Sequence, residues 1–202
     1  MDRSENSKLY TQVARLMLGA VILVLPLVLV MGSGYAEQPN GTLELVPAQD
    51  HNYVGVAGCQ MCHRSPAKGN QFGKWSESPH AGTYATLATA ASKAIATEKG
   101  LGDPQKAAEC LECHATAASL PAGRKAATWK IEDGVGCESC HGAGNDYKAI
   151  TVMRDHAASV AAGLTEISEA VCTKCHNDKS PTFAGFNYEE SLAKVAHPDP
   201  SK

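Results

Sequence analysis

Eight cysteines form four pairs, and in each pair two residues separate the cysteines and a histidine follows the second one. The motifs are CQMCH at 59–63, CLECH at 110–114, CESCH at 137–141 and CTKCH at 172–176. No cysteine lies outside them. Paired cysteines serve in disulfides, in zinc sites and in the thioether attachment of haem. Since all the cysteines share one pattern, the sequence indicates one chemistry repeated four times.

The histidine of each motif distinguishes these chemistries. A disulfide framework does not require a histidine after each second cysteine, and zinc sites made of four cysteines would leave the histidines without a role. In c-type haem attachment both sulfurs bond to the haem and the histidine ligates its iron. The sequence therefore predicts four covalently bound haem c groups. The cofactor-binding cysteines are Cys59, Cys62, Cys110, Cys113, Cys137, Cys140, Cys172 and Cys175, and the proximal iron ligands are His63, His114, His141 and His176.

Four further histidines, His51, His80, His156 and His197, match the four sixth-ligand positions that four haem irons offer. We therefore expect these residues to be metal ligands and most of the haems to have two histidine ligands each. Such an iron has no open coordination position and has a lower potential than a histidine–methionine haem. This ligand supply favours electron transfer over the binding of a substrate.

The composition predicts how the fold is built. Three phenylalanines and two tryptophans are few for a core of ordinary side chains in 202 residues. We expect a mainly α fold with long loops and at most a small β-hairpin, whose core is formed by the four haems. Helices are predicted at 83–99, 155–162 and 187–196 from propensity and capping residues, and a strand at 127–132.

The N-terminus predicts export from the cytoplasm. Basic residues precede an apolar run at 16–31, and small residues follow at Gly34 and Ala36. This pattern is typical of a signal peptide at 1–36, cleaved after Ala36, and the alternative is an uncleaved membrane anchor. Residues 37–202 would then form a single tetrahaem domain in the periplasm or at the cell exterior. A net charge of −3 does not suggest binding to nucleic acid.

Three segments resemble the tetrahaem cytochrome c-554 family. They are WSESPHAGTYATL at 75–87, GVGCESCHGAG at 134–144 and the histidine–proline pair at 197–198. That family was first known for electron carriers of ammonia oxidation and has many relatives in anaerobic respirers. The resemblance implies an electron carrier of the same kind.

The resemblance also implies a set of sixth ligands. His80 would ligate the haem of the fourth motif and His197 the haem of the third. A histidine downstream of the third motif would ligate the first haem, and His156 is the available one, although it lies further downstream than the family ligand. The second haem would be open. His51 has no counterpart in this scheme: it could ligate a haem of its own chain, ligate one of a neighbouring chain, or be solvated.

We therefore expect an electron carrier of respiration, anaerobic respiration included. Its partners would be other redox proteins, namely quinol-linked or soluble cytochromes and terminal reductases, and it would touch a membrane only if the signal is uncleaved. One alternative is a haem enzyme that reduces nitric oxide, nitrite or hydroxylamine at an open haem. Another is a subunit of a haem filament, and oligomers are compatible with either function.

Overall fold

The computed structural model describes residues 51–197, and within this range the chain is helical without a β-strand. The predicted signal peptide lies outside the described residues. Short 3₁₀ turns at Pro66–Lys68, Pro79–Gly82, Ala122–Arg124 and Ile131–Asp133 connect the helices. The helices are α1 (Val56–His63), α2 (Gln71–Ser76), α3 (Thr83–Thr86), α4 (Ala90–Glu98), α5 (Ala108–His114), α6 (Cys137–His141), α7 (Ile150–Met153), α8 (His156–Ala161), α9 (Glu169–Cys172) and α10 (Tyr188–Val195).

Each cysteine–histidine motif lies at the C-terminal end of a helix. Three of the motif histidines are the last residues of α1, α5 and α6. In the fourth motif α9 ends at Cys172, and a further turn carries the chain to His176, whose amide donates to the Cys172 carbonyl at 3.0 Å. Residues three and four positions apart share one face of a helical turn. Each helix end therefore presents two sulfurs and one imidazole on the same side.

Two predicted helices are confirmed, and so is the predicted N-cap at Asn187. The Asp155 carboxylate accepts the Ala158 amide at 3.0 Å at the start of α8. The Asn187 side chain accepts the Glu190 amide at 3.1 Å at the start of α10. These caps satisfy amides that have no partner inside the helix, which is why a short polar residue before an apolar stretch predicts a helix start.

The single helix predicted at 83–99 is instead two helices. α3 ends at Thr86, and the Thr89 hydroxyl accepts the Ser92 amide at 3.2 Å to begin α4. Leu87 between them is buried, with 4% of its surface exposed. The Thr89 cap explains the break, because it gives the Ser92 amide a partner at the start of a new helix. The buried side chain of Leu87 holds the linking residues in place.

The strand predicted at 127–132 is wrong. Residues 131–133 form a 3₁₀ turn, and the only bridge near them among residues 51–197 is a parallel one between Tyr53 and Lys125. The Trp129 indole N–H donates to the Thr116 carbonyl at 2.9 Å. This contact and the turn formed by the Trp129 amide and the Ala126 carbonyl hold the segment out of an extended conformation.

Few apolar side chains are buried in the described part of the chain. They are Val54, Val56, Leu87, Ala96, Ala115, Ala143 and Tyr147. Most of these are small, so they bury little apolar area of the kind that stabilises a core of ordinary side chains. The haem core stays a prediction, and this sparse burial agrees with it. No helix within residues 51–197 has the length and apolar character to cross a membrane.

Candidate metal centres

Cysteines from different motifs lie side by side. Cys59 of the first motif is hydrogen-bonded to Cys137 of the third, a contact that raises the pKa of the Cys59 thiol above its usual range. Burial raises the pKa of Cys175 to about 12, with a further contribution from Cys113 of the second motif beside it. No disulfide joins any of the eight cysteines. The motifs therefore meet in pairs, the first with the third and the second with the fourth.

The structure brings His80 to the fourth motif. Its ring centroid lies 6.1 Å from that of His176, and the two planes are inclined by 72°. His80 is held in the 3₁₀ turn Pro79–Gly82. The Phe186 ring stacks on His176, with the two centroids 5.0 Å apart. Two imidazoles that are 96 positions apart in the chain thus face one another.

The structure also brings His197 to the third motif. The centroids of the His141 and His197 rings lie 5.8 Å apart, with planes inclined by 41°. His197 follows α10 by two residues, so the end of this helix positions its imidazole. Both pairings are the ones that the resemblance implies, while ligation itself stays a prediction.

The spacing of both pairs fits an iron held between two imidazoles. Because metal–imidazole bonds are about 2 Å long, two imidazoles that face one ion from opposite sides have ring centroids about 6 Å apart. Each pair offers two nitrogen donors, which is the number that a six-coordinate haem iron takes from a protein. A structural zinc ion would need four. The donor set present therefore fits haem.

Burial keeps these imidazoles in the form that can ligate a metal. Burial, together with charge repulsion from His197 and His63, lowers the pKa of His141 to about 4. Burial, and then repulsion from His176, likewise lowers the pKa of His80. A neutral imidazole has a nitrogen lone pair free for a metal, so at neutral pH these rings are ready for coordination.

His114 of the second motif is fixed by Thr83. The His114 Nδ1–H donates to the Thr83 carbonyl at 2.9 Å, which leaves Nε2 as the free donor atom. The Thr83 hydroxyl is 2.9 Å from the His80 carbonyl and accepts the Val135 amide at 2.9 Å. Thr83 thereby connects His80, the second motif and Val135, which lies two residues before the third motif. Sequence reasoning missed it, because nothing in its local pattern distinguishes it from other threonines.

Gly134 has to be a glycine for the same junction to form. Its φ is +62°, and a Cβ there would lie 2.9 Å from the His80 carbonyl oxygen and 2.6 Å from the Thr83 hydroxyl. A side chain would therefore be strained by the backbone and would push against the turn that carries His80. The glycine in the GVGCESCHG stretch thus serves the placement of a histidine 54 positions earlier in the chain.

The remaining histidines have other partners. The His63 Nδ1–H donates to the Gln71 side-chain oxygen at 3.3 Å, so its Nε2 is the free donor atom. His156 lies 3.6 Å from Glu166 and is 65% exposed. His51 donates to Asp146 at 2.6 Å and is 17% exposed. The structure therefore does not bring His156 to an imidazole of the motifs, whereas it holds His51 against the chain that follows the third motif.

Glu138 is a second residue that sequence reasoning missed. It lies between the cysteines of the third motif, is 4% exposed, and accepts three backbone amides. These come from Val54 at 2.9 Å, Gly55 at 2.8 Å and Gly144 at 2.7 Å. The carboxylate thus ties the approach to the first motif onto the third. Its position gives no signal in the sequence, because its three partners include residues 83 and 84 positions away.

We predict that Glu138 is required for stability. Glu138→Gln turns one acceptor into a donor opposite an amide and should lower the free energy of unfolding by about 1–3 kcal/mol. Glu138→Ala leaves three amides without a partner and should cost about 3–5 kcal/mol. Guanidinium unfolding of the haem-loaded protein, followed by circular dichroism, measures both values.

The exposed Glu132 is the matched control for Glu138. Glu132→Gln should change the free energy of unfolding by less than about 0.5 kcal/mol. Equal effects at the two positions would contradict the role given to Glu138.

Comparison with known proteins supports the sequence analysis. Residues 58–142 match the family model described as cytochrome c554 and c-prime. A cytochrome c-554 of Nitrosomonas europaea is 30% identical over 106 residues, which cover 50% of this chain and 43% of that protein. The match thus spans less than half the length of this curated relative. No solved structure matches the chain. The resemblance to the cytochrome c-554 family is confirmed over a segment that contains the first three motifs.

Proposed function

We propose that this chain, which is similar to the cytochrome c-554 family over residues 58–142, is a tetrahaem c-type cytochrome that transfers electrons between respiratory redox partners outside the cytoplasm. A cytochrome family of this type implies covalently bound haem c and a role in electron transport. The fourth motif at 172–176 extends the same chemistry beyond the matched segment. When bound, the haems supply the one-electron chemistry, and the chain contributes their spacing, orientation and surroundings.

Two pairs of facing imidazoles carry this proposal. The ring centroids of His80 and His176 lie 6.1 Å apart, and those of His141 and His197 lie 5.8 Å apart. An iron with two histidine ligands has both axial positions filled, so it exchanges electrons without binding a substrate. Hydrogen bonding at the His114 and His63 Nδ1 atoms fixes the orientation of two further proximal ligands. The protein would then rearrange little during each electron transfer.

The contacts between motifs support a continuous path for electrons. Cys59 touches Cys137, and Cys113 touches Cys175, which joins the first motif to the third and the second to the fourth. Burial raises the pKa of the Cys140 thiol, and Cys172 lies near enough to raise it further by its charge. The motifs therefore follow one another in the order first, third, fourth, second. Haems attached to them would be neighbours in the same order.

Intact-mass spectrometry tests the haem count. We predict four haem additions on a chain that begins after Ala36, and no reactive thiol, because each cysteine is consumed by a thioether. Reduction with a soluble cytochrome or a quinol analogue as donor should reach all four haems. Fewer than four additions, or bound zinc, would contradict the tetrahaem proposal, and an unprocessed N-terminus would favour the membrane anchor.

One observation favours a second function, reduction of nitric oxide, nitrite or hydroxylamine at an open haem. His156 is exposed and paired with Glu166, which leaves His51 as the one remaining candidate ligand for two motifs, the first and the second. One haem would then lack a sixth ligand. Electron paramagnetic resonance of the oxidised protein separates the two functions: a high-spin ferric signal that responds to nitric oxide favours the enzyme, and low-spin signals alone favour the carrier.

A further inference from the structure

The backbone around His51 is held from two sides. The Arg124 guanidinium donates to the His51 carbonyl at 2.5 Å, and the Tyr53 amide donates to the Arg124 carbonyl at 2.8 Å. On the other side, the Asn145 amide donates to the Asn52 carbonyl at 3.1 Å. These hydrogen bonds fix the backbone at His51 and at its neighbours Asn52 and Tyr53. The position of His51 is therefore determined by the fold.

The ring of His51 is oriented as well. Its Nδ1–H donates to the Asp146 carboxylate at 2.6 Å, so Nε2 is the nitrogen with a free lone pair. The ring packs against Gly163, where a Cβ would lie 2.7 Å from the His51 Cδ2 atom. Metal-ligating histidines characteristically donate their other ring N–H to a carboxylate, which fixes the tautomer and makes the ligand more basic. The His51–Asp146 pair has this arrangement.

The location of the pair points to the first haem. His141 and His176 already face His197 and His80, which leaves His63 and His114 as motif histidines without an opposed imidazole. Asp146 lies in the chain that follows the third motif, and α1 of the first motif packs against α6 of the third. The second motif instead contacts Thr83 and the fourth motif. His51 is therefore on the side of the first motif.

We propose that Asp146 positions His51 as the sixth ligand of the haem bound by Cys59 and Cys62. This inference rests on the proposed tetrahaem function and deepens it. His51 thereby takes the role that the family resemblance implies for His156. The resemblance expects the ligand of the first haem downstream of the third motif, and Asp146, which positions His51, lies there. The second haem is then the open one.

Replacing the ligand tests the proposal directly. His51→Ala, in the haem-loaded protein, should convert one low-spin haem to high spin, and added imidazole should restore the low-spin signal. His156→Ala is the matched control, since His156 is also paired with a carboxylate but is 65% exposed, and it should change neither signal. An unchanged spectrum in His51→Ala, or the spin change in His156→Ala instead, would overturn the proposal.

Replacing Asp146 tests the positioning role. Asp146→Asn should keep the first haem low-spin, but cyanide should displace its weakened ligand at concentrations about 10–100-fold lower than in the unmodified protein. The reduction potential of the same haem should rise, because a less basic imidazole stabilises the ferric iron less. Cyanide affinity and potential equal to those of the unmodified protein would show that Asp146 has only a structural role.

The haem count separates this inference from the proposed function. Intact mass should show four haems in each of these variants, because neither His51 nor Asp146 belongs to an attachment motif. If the unmodified protein carries four haems and His51→Ala leaves the spectrum unchanged, the ligand assignment fails while the tetrahaem function stands. If the unmodified protein lacks haem, the function itself fails.

Discussion

Replacing His80 by alanine should convert one low-spin haem of the loaded protein to high spin and open it to external ligands. His80 faces His176 at 6.1 Å, and no second imidazole stands near that ring to take its place within residues 51–197. Loss of the sixth ligand leaves the iron five-coordinate, a change that electron paramagnetic resonance and carbon monoxide binding both detect. The haem should stay attached, because both thioethers and His176 are untouched.

His197→Ala should have the same effect on a different haem, since His197 faces His141 at 5.8 Å. The double variant should then carry two more high-spin haems than the unmodified protein, because the two sites use separate ligands. Fully low-spin spectra in both single variants would show that these pairs do not ligate iron.

Replacing the motif histidine of the same pair should be much more damaging. His141→Ala removes the proximal ligand of the third haem and should lower the yield of four-haem protein at least several-fold, because a protein that gains its core from bound groups loses stability with them. Purified yield and intact mass measure this effect. His197→Ala provides the matched comparison on the same haem and should retain four haems at near-normal yield.

Equal yields of the His141 and His197 variants would contradict this asymmetry. The comparison is sharp because both rings belong to one pair, and both substitutions remove an imidazole of the same size. Only His141 lies in α6, whose Glu138 holds the approach to the first motif. Damage at the third motif should therefore also weaken the first, which a parallel drop in helical circular dichroism would show.

Local chemistry accounts for the parts of the fold that the sequence predicted well. The predicted N-cap at Asn187 is a contact between residues three positions apart, so its signal is contained in a few letters. The same is true of the cysteine–histidine motifs, which need one helical turn to place two sulfurs and an imidazole together. The motif chemistry was thus readable without knowledge of the rest of the chain.

The two failures share another explanation, which is that specific hydrogen bonds overrode propensity. The segment at 127–132 has strand-forming residues, but the Trp129 indole is fixed on Thr116 and no strand pairs with it within residues 51–197. The alanine-rich stretch at 83–99 favours a helix throughout, yet Thr89 starts a new one. Propensity differences of a fraction of a kcal/mol per residue, about 0.7 kcal/mol at most for ordinary residues, are easily outweighed by such contacts.

By itself the sequence predicted the attachment chemistry, from eight cysteines and four histidines at the spacing of haem-attachment motifs and from four further histidines outside them. The resemblance already implied the motifs of His80 and His197, and the tertiary structure decided the surroundings of His51 and His156. His51 and Asp146 are 95 positions apart, and Glu138 and Val54 are 84 apart, so no local pattern links them. The physical reason is that the sequence of an irregular loop does not determine the direction in which the chain continues. Long-range hydrogen bonds and buried contacts then select one arrangement.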